Sequence, residues 1–403
     1  MAKTATKTPA KAKAKVASKG LARANEIYQN RDQRAKELKA EGRIVMGYLC
    51  TYPVLELMTA LDIVPYRLFG DMRETITKAD TYMGTVICSF LRSTLDIALK
   101  GRDDFLDGAV FAHTCDEGCA LNDIWRATIE LPYTYFIDTP STVLERGQRQ
   151  EKALLKEFQM SLEEFTGKKA TPAKIKKAIK LHNQQRALLR ELYDLRKPDP
   201  PLISAVETLK VMKAVQSIPI EEGNQLVSEV ITEIKERKTG RPTKKTGRLL
   251  VWGPVIDDTS FVEMIESLDA NLVMDDTCVG TRAFFDDVKL TDDPLEGLAY
   301  HYLVDIQCPR TFREPVLGPD CKDHIEDIEF RYGYLGKYAK DWNCNGVIME
   351  WMRYCDSHGY EVPALNDYLD HIGLPHLGLE QDYSEAALAP MRTRVQGFLE
   401  VIS

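Results

Sequence analysis

Residues 43–70 read RIVMGYLCTYPVLELMTALDIVPYRLFG, and their pattern decides the fold. Residues 43–50 form an apolar run of strand length. A short helix follows over 53–61, with Pro53 near its first turn, where a missing N–H costs little. Residues 63–70 are a second apolar run, closed by Gly70. Strand, helix and strand in this order read as a parallel β-α-β unit, since parallel strands need a crossover between them.

The same alternation continues outward. TVICSFLRSTLDIALK (85–100) has the apolar spacing of an amphipathic helix, GAVFAHT (108–114) of a strand, 119–130 of a helix and YTYFID (133–138) of a strand. From Ser141 to about Lys238 the strand signal stops. Segments 143–160, 173–195 and 203–216 keep helical spacing, and Pro198, Pro200 and Pro201 interrupt them. Alternation resumes at Leu249 with LLVWGPV, then a helical SFVEMIESLD and a strand NLVMDD. Helices are predicted over 294–306, 322–340, 363–372 and 384–402, and strands over 345–349 and 376–381. The expected fold class is α/β, with two Rossmann- or flavodoxin-like parallel-sheet domains and a helical region between them. The expected division is a disordered basic tail (1–24), an N-terminal α/β domain (25–150), a helical region (151–245) and a C-terminal α/β domain (246–403). Ligands of such sheets sit beyond the carboxyl ends of the strands.

A chain of 403 residues exceeds what one core usually holds, which agrees with several domains. It is 44% hydrophobic and 28% charged, as soluble globular proteins are. No apolar run is long enough to span a membrane, and the lysine-rich start lacks the apolar core of a secretory signal, so a cytoplasmic location is expected. The net charge is −8, although the first 20 residues carry six lysines and no acid. No basic stripe with interleaved aromatics follows, which disfavours nucleic-acid binding.

Nine cysteines stand at 50, 88, 115, 119, 278, 308, 321, 344 and 355. An odd count in a chain expected in the cytoplasm argues against a disulfide framework and leaves buried thiols or a metal site. Cys50, Cys115, Cys278 and Cys355 each follow a predicted strand, where both domains would build a cleft. Paired C-x2-C zinc spacing and ferredoxin-type runs are missing. Thiolates drawn from distant parts of the chain favour an iron–sulfur cluster over a hard cation. P-loop, dinucleotide and nucleophile-elbow signatures are also missing. His113 beside Cys115 reads as a neighbour in sequence rather than as a Cys–His nucleophile pair.

Six stretches in order resemble the 2-hydroxyacyl-CoA dehydratase and benzoyl-CoA reductase family. They are GYLCTYPVLELMTALDIVPYRLFGD (47–71), ICSFLRSTLDIALKG (87–101), HTCDEGCALNDIW (113–125), DDTCVGTRAFFDDV (275–288), NGVIMEWMRYCDSHGYEVPALNDYLDHIGLPHLGLEQDY (345–383) and MRTRVQGFLEVI (391–402). The resemblance implies a [4Fe-4S] cluster on Cys88, Cys115 and Cys355, with Cys50, Cys119 and Cys308 as candidates for a fourth ligand. Cys278, though inside a family motif, reads as a packed loop residue. Where the family has Pro-Glu-Glu-Leu, this chain has Pro53-Val-Leu-Glu-Leu, which puts the usual role of Glu56 in doubt. Arg282 is expected either to hold a CoA phosphate by its planar fork or to fix Asp275 and Asp276 as an ion pair.

The implied chemistry is the transfer of low-potential electrons to an acyl-CoA thioester, which makes a ketyl radical anion and changes the acidity of nearby hydrogens. Two reactions follow from it, reduction of an aromatic acyl-CoA such as benzoyl-CoA and loss of water from a 2-hydroxyacyl-CoA. VGTRAFF and MRYCDSHGY look closer to the ring-reducing branch. A family member with a double cluster is a third form, and a non-catalytic electron-relay subunit an alternative outside this chemistry. The implied partners are a homologous second cluster-bearing subunit, an ATP-dependent iron–sulfur activator or other electron-donating subunits, ferredoxin, and the acyl-CoA substrate.

Overall fold

The computed structural model describes residues 20–313 and 324–403. Cys321 and most of the expected basic tail lie outside the described residues. From Gly20 onward the chain is helical, so its first helix starts inside the stretch expected as tail. Helix α1 (Gly20–Gln29) and α2 (Arg31–Ala40) lead into strand β1 (Ile44–Tyr48), α3 (Leu55–Ala60) and β2 (Ile63–Arg67). Then come α4 (Ser89–Leu99), β3 (Gly108–Ala112), α5 (Asp116–Thr128) and β4 (Tyr133–Ile137). The four strands form one parallel sheet in the order β2-β1-β3-β4.

Four helices follow without a strand among the described residues: α6 (Glu145–Thr166), α7 (Pro172–Asp194), α8 (Ala205–Val215) and α9 (Ile220–Glu236). Local chemistry sets their ends. Gly167 at φ 67° stops α6, and Thr171 caps α7 with Pro172 in its first turn. Ser204 and Glu207 cap α8 reciprocally.

The second half repeats the first. Strand β5 (Gly247–Trp252), α10 (Thr259–Glu266), β6 (Ala270–Asp276), α11 (Pro294–Tyr300), α12 (His324–Asp341), β7 (Gly346–Met352), α13 (Asp356–Gly359), α14 (Val362–His371), β8 (His376–Gln381) and α15 (Leu388–Ile402) complete the chain. Their sheet is also parallel, in the order β6-β5-β7-β8. No helix among the described residues is long and apolar enough to cross a membrane.

Alternate residues of each strand enter different cores, as the period of two requires. Val45, Phe111, Leu250 and Val347 face one apolar cluster shared by both sheets, with Leu189 of α7 and Val227 of α9. Met46 and Val110 face a second cluster against Phe158 of α6 and Ile179 of α7. Leu249 and Val251 face a third against Phe261 of α10 and Phe398 of α15. Sharing the first cluster turns the carboxyl ends of β1, β3, β5 and β7 toward common ground. In each sheet the strand order reverses between the two central strands, and a crevice is expected there.

Candidate functional site

Cys88, Cys115 and Cys355 sit at the N-caps of α4, α5 and α13 respectively. Helix N-termini carry amides without intrahelical acceptors, and the Cys115 sulfur takes one of them. Cys115 Sγ accepts from the Gly118 amide at 3.3 Å. Cys88 and Cys355 hold the same position on their helices without such a bond. Cys88 interacts electrostatically with both other thiols. Burial pushes all three thiols up, Cys88 to about 11, so they keep their protons until positive charge arrives. Among the described residues no three His, Cys, Asp or Glu side chains stand close enough to hold a single metal ion. Three thiols and no oxygen ligands fit iron in a polynuclear cluster, which spaces its thiolates more widely than one ion does.

Arg282 takes the second of its two expected roles, and for one acid only. Its Nη2 donates to Asp276 Oδ2 at 2.8 Å and its Nη1 to the Gly253 carbonyl at 2.9 Å. The side chain is 1% exposed and borders the cavity beside Cys50. Asp275 belongs instead to Tyr193 (2.8 Å) and Arg196 (3.2 Å). A β-carbon at Gly280 would stand 1.6 Å from Asp275 Oδ1, which requires glycine there. Arg282 also reaches the first thiol group through an intermediary. Its Nη1 lies 3.1 Å from His358 Nε2, and His358 Nδ1 lies 3.4 Å from Cys355 Sγ. Burial and Arg282 hold His358 neutral, so Nε2 accepts from the guanidinium and Nδ1–H donates to the sulfur.

A second thiol group stands beside the first. Cys278 donates to Cys50 and interacts with Cys308, and it is also felt by Cys355. The hydrogen bond from Cys278 pulls the Cys50 thiol down despite its burial, with Arg67 assisting. Cys50 has φ 71°, a left-handed conformation that is uncommon outside glycine and is tolerated where surroundings impose it. Cys278 is packed in the apolar cluster shared by both sheets, as expected of a loop residue, and stands beside Cys50 there. Cys119 faces Asp116, Asp123 and Asp138 rather than the other thiols, and Cys344 is half-buried near Arg248 and Arg196.

Cys50 opens on a cavity of about 810 Å³, mouth included, at the carboxyl end of the N-terminal sheet. Its apolar walls include Leu55, Leu189, Val215 and Phe284, and its polar lining Arg67, His182, Arg186, His301 and Tyr302. The chain matches the family described as 2-hydroxyglutaryl-CoA dehydratase, D-component, over residues 50–402. It belongs to that family. It is similar to the (R)-phenyllactyl-CoA dehydratase beta subunit of Clostridium sporogenes, 24% identical over 91% of this chain and 94% of that one. It is as similar to one subunit of the benzoyl-CoA reductase of Thauera aromatica, 24% identical over 95% and 97%. The (R)-2-hydroxyglutaryl-CoA dehydratase beta subunit of Acidaminococcus fermentans is 23% identical over 90% and 93%. The chain is thus a subunit of an enzyme of the acyl-CoA dehydratase and reductase kind.

In this dehydratase-family chain, Glu56 is fully buried behind the cavity. Arg186 Nη2 donates to Oε1 and the Tyr302 hydroxyl to Oε2, both at 2.7 Å. Burial alone would raise its carboxyl, but Arg186, His182, His301 and Tyr302 together bring it down to about 2. Nothing in the sequence pairs Glu56 with residues 130 and 246 positions away, so sequence patterning could not reveal this network. His358 was missed too, although it lies three residues past Cys355.

Proposed function

We propose that this chain is the iron–sulfur subunit of an enzyme that reduces an aromatic acyl-CoA such as benzoyl-CoA, with a [4Fe-4S] cluster on Cys88, Cys115 and Cys355. The observation that carries the reading is three thiols at the N-caps of three separate helices, each in electrostatic contact through Cys88. When bound, the cluster supplies a low-potential electron to the thioester carbonyl. The protein's own part is different. The apolar walls of the cavity exclude water from the acyl group, while Arg67 and Arg186 offer donors to developing negative charge. The His358 hydrogen bond to Cys355 tunes the sulfur, because donors to cluster sulfurs raise the potential.

Elimination of water from a 2-hydroxyacyl-CoA is the alternative, and relatives of both names stand at the same identity. The ring-reducing preference rests on the aromatic-flanked segments around Arg282 and Cys355. A two-cluster subunit is a second reading, favoured by the Cys50, Cys278 and Cys308 group. A homologous cluster-bearing subunit, an ATP-dependent activator or other electron-donating subunits, and ferredoxin complete the proposal, in the cytoplasm. The relatives' names, which are those of subunits, support the first of these.

The test is anaerobic purification with iron and acid-labile sulfide analysis and EPR. One cluster requires about four irons per chain, and two require about twice that. Cys88→Ser, Cys115→Ser and Cys355→Ser should each lose iron and visible absorbance, while Cys344→Ser keeps both. Unchanged iron in Cys88→Ser would sink the assignment. Cys50→Ser separates the readings, since only a two-cluster chain loses part of its iron.

A further inference from the structure

The helix α11 does not end cleanly. Residues His301–Asp305 continue it as one π-helical turn. Such turns are rare and cluster at functional sites. This one brings two residues to the main cavity. Tyr302 donates to Glu56, and the His301 ring packs edge-on against Tyr302 at 5.2 Å. His301 also lines a smaller space of about 290 Å³ on its other side, together with Asp276, Asp286 and Asp305. It is the wall between the cavity beside Cys50 and an acid-lined space.

The imidazole is 5% exposed, and its Nδ1 makes no hydrogen bond. Asp305 Oδ2 lies 3.5 Å from that nitrogen, an ion pair once the ring is protonated. While the ring is neutral this contact is long, so the buried Nδ1 stands beside a carboxylate that closes on it only with the proton present. The charged groups around it are Arg186 from α7, Glu56 from α3, Asp276 at the end of β6 with its partner Arg282, Asp286 from the loop before α11, and Asp305 from its own turn.

We propose that His301 is a catalytic proton carrier between the acyl group in the main cavity and the carboxylates of the smaller one. The inference rests on the reading of that cavity as the acyl site. In the step, a C–H bond of the acyl group breaks and its proton goes to the ring of His301. The electron pair stays on the substrate. The imidazolium then passes a proton from Nδ1 to Asp305 or Asp286. Run in reverse, the relay delivers a proton to a reduced ring, so either reaction of the family can use it. Burial and Arg186 lower the basicity of the ring and keep it neutral and able to accept, while Asp305 and Glu56 favour the cation once formed. Burial raises the Asp286 carboxyl, which suits it to hold the passing proton.

The experiment compares wild type with His301→Gln in the assembled, iron-loaded enzyme, with benzoyl-CoA and lactoyl-CoA as probes. The variant should bind the thioester within about twofold of wild type and keep its iron. It should lose roughly 10²–10⁴-fold in kcat. It should also lose the acid limb of the wild-type kcat profile, which a purely structural role would not move. A variant that binds, turns over and titrates like wild type would overturn the role of His301 alone. A wild-type enzyme that binds neither thioester would overturn the acyl-cavity reading beneath it. Should His301→Gln fail to fold, Asp286→Asn/Asp305→Asn tests the same path, and unchanged kcat there overturns the inference.

Discussion

The two halves share one strand order but treat their buried carboxylates differently. Behind the N-terminal sheet, Glu56 meets Arg186 and Tyr302, both at 2.7 Å. Behind the C-terminal sheet, Asp276 meets Arg282 and Tyr334, both at 2.8 Å. The first network reaches the cavity through Arg186 and Tyr302. In the second, the guanidinium borders that cavity too, while its donors are turned to Asp276, Gly253 and His358. A third acid, Glu350 on β7, is as fully buried as Glu56 but has only Gln381 as a partner, and its Oε2 has none. Burial pushes Glu350 up to about 8, whereas its cationic neighbours bring Glu56 down to about 2. Burial is common to both, so the neighbours decide the charge state. The N-terminal half keeps an ionised acid at Glu56, and the C-terminal half a neutral one at Glu350.

The largest effect expected from this contrast is in pH dependence. Glu350 is raised, so its contribution is present below its ordinary value of 4.5 and is lost as pH rises through about 8. Glu56 is depressed, so its contribution is present above 4.5 and is lost as pH falls through about 2. Glu350→Gln should therefore remove a loss of stability between about pH 5 and 8, on the order of several kcal/mol, and leave the acid arm unchanged. Glu56→Gln should flatten the acid arm instead. Urea melts across pH check both, and identical profiles for the two variants would break the comparison.

Removing one partner of a buried pair comes next. Arg282→Met strands Asp276 in the interior and should cost about 3–5 kcal/mol. Arg186→Met strands Glu56 likewise and should cost about the same. A much smaller loss for either in chemical denaturation would mean that its remaining neighbours hold the charge. Removal of the tyrosine donors is smaller. Tyr334→Phe and Tyr302→Phe each delete one hydrogen bond to a carboxylate, about 1.5–3 kcal/mol. Arg282→Lys sharpens the site assignment further. If the fork only fixes Asp276, its melting temperature falls while acyl-CoA affinity holds.

Much of the fold was legible because apolar periodicity reports burial directly. Both β-α-β halves and the strand-free middle follow from it. The start of α4 was not. A helix over 85–100 was expected, but the helix begins at Ser89 because Cys88 is its cap. Cysteine is outside the usual capping set of Ser, Thr, Asp and Asn, so the sequence carried no stop signal there. The same holds at Cys115 and Cys355. Their alignment with strand ends could be read from the sequence, but their cap positions could not.

The sequence by itself determined the alternation of strands and helices, the family motifs and the clustering of cysteines past strand ends. All of these are local, since each depends on spacing along the chain. Only the tertiary structure decided that Arg282 is an internal ion pair, that Glu56 is ionised and Glu350 neutral, and that Cys278 joins Cys50. It alone placed His301 between two cavities. These outcomes depend on partners far away along the chain, and on burial. A charge state is set by what surrounds a group in space, and the chain sequence does not order its members by that distance.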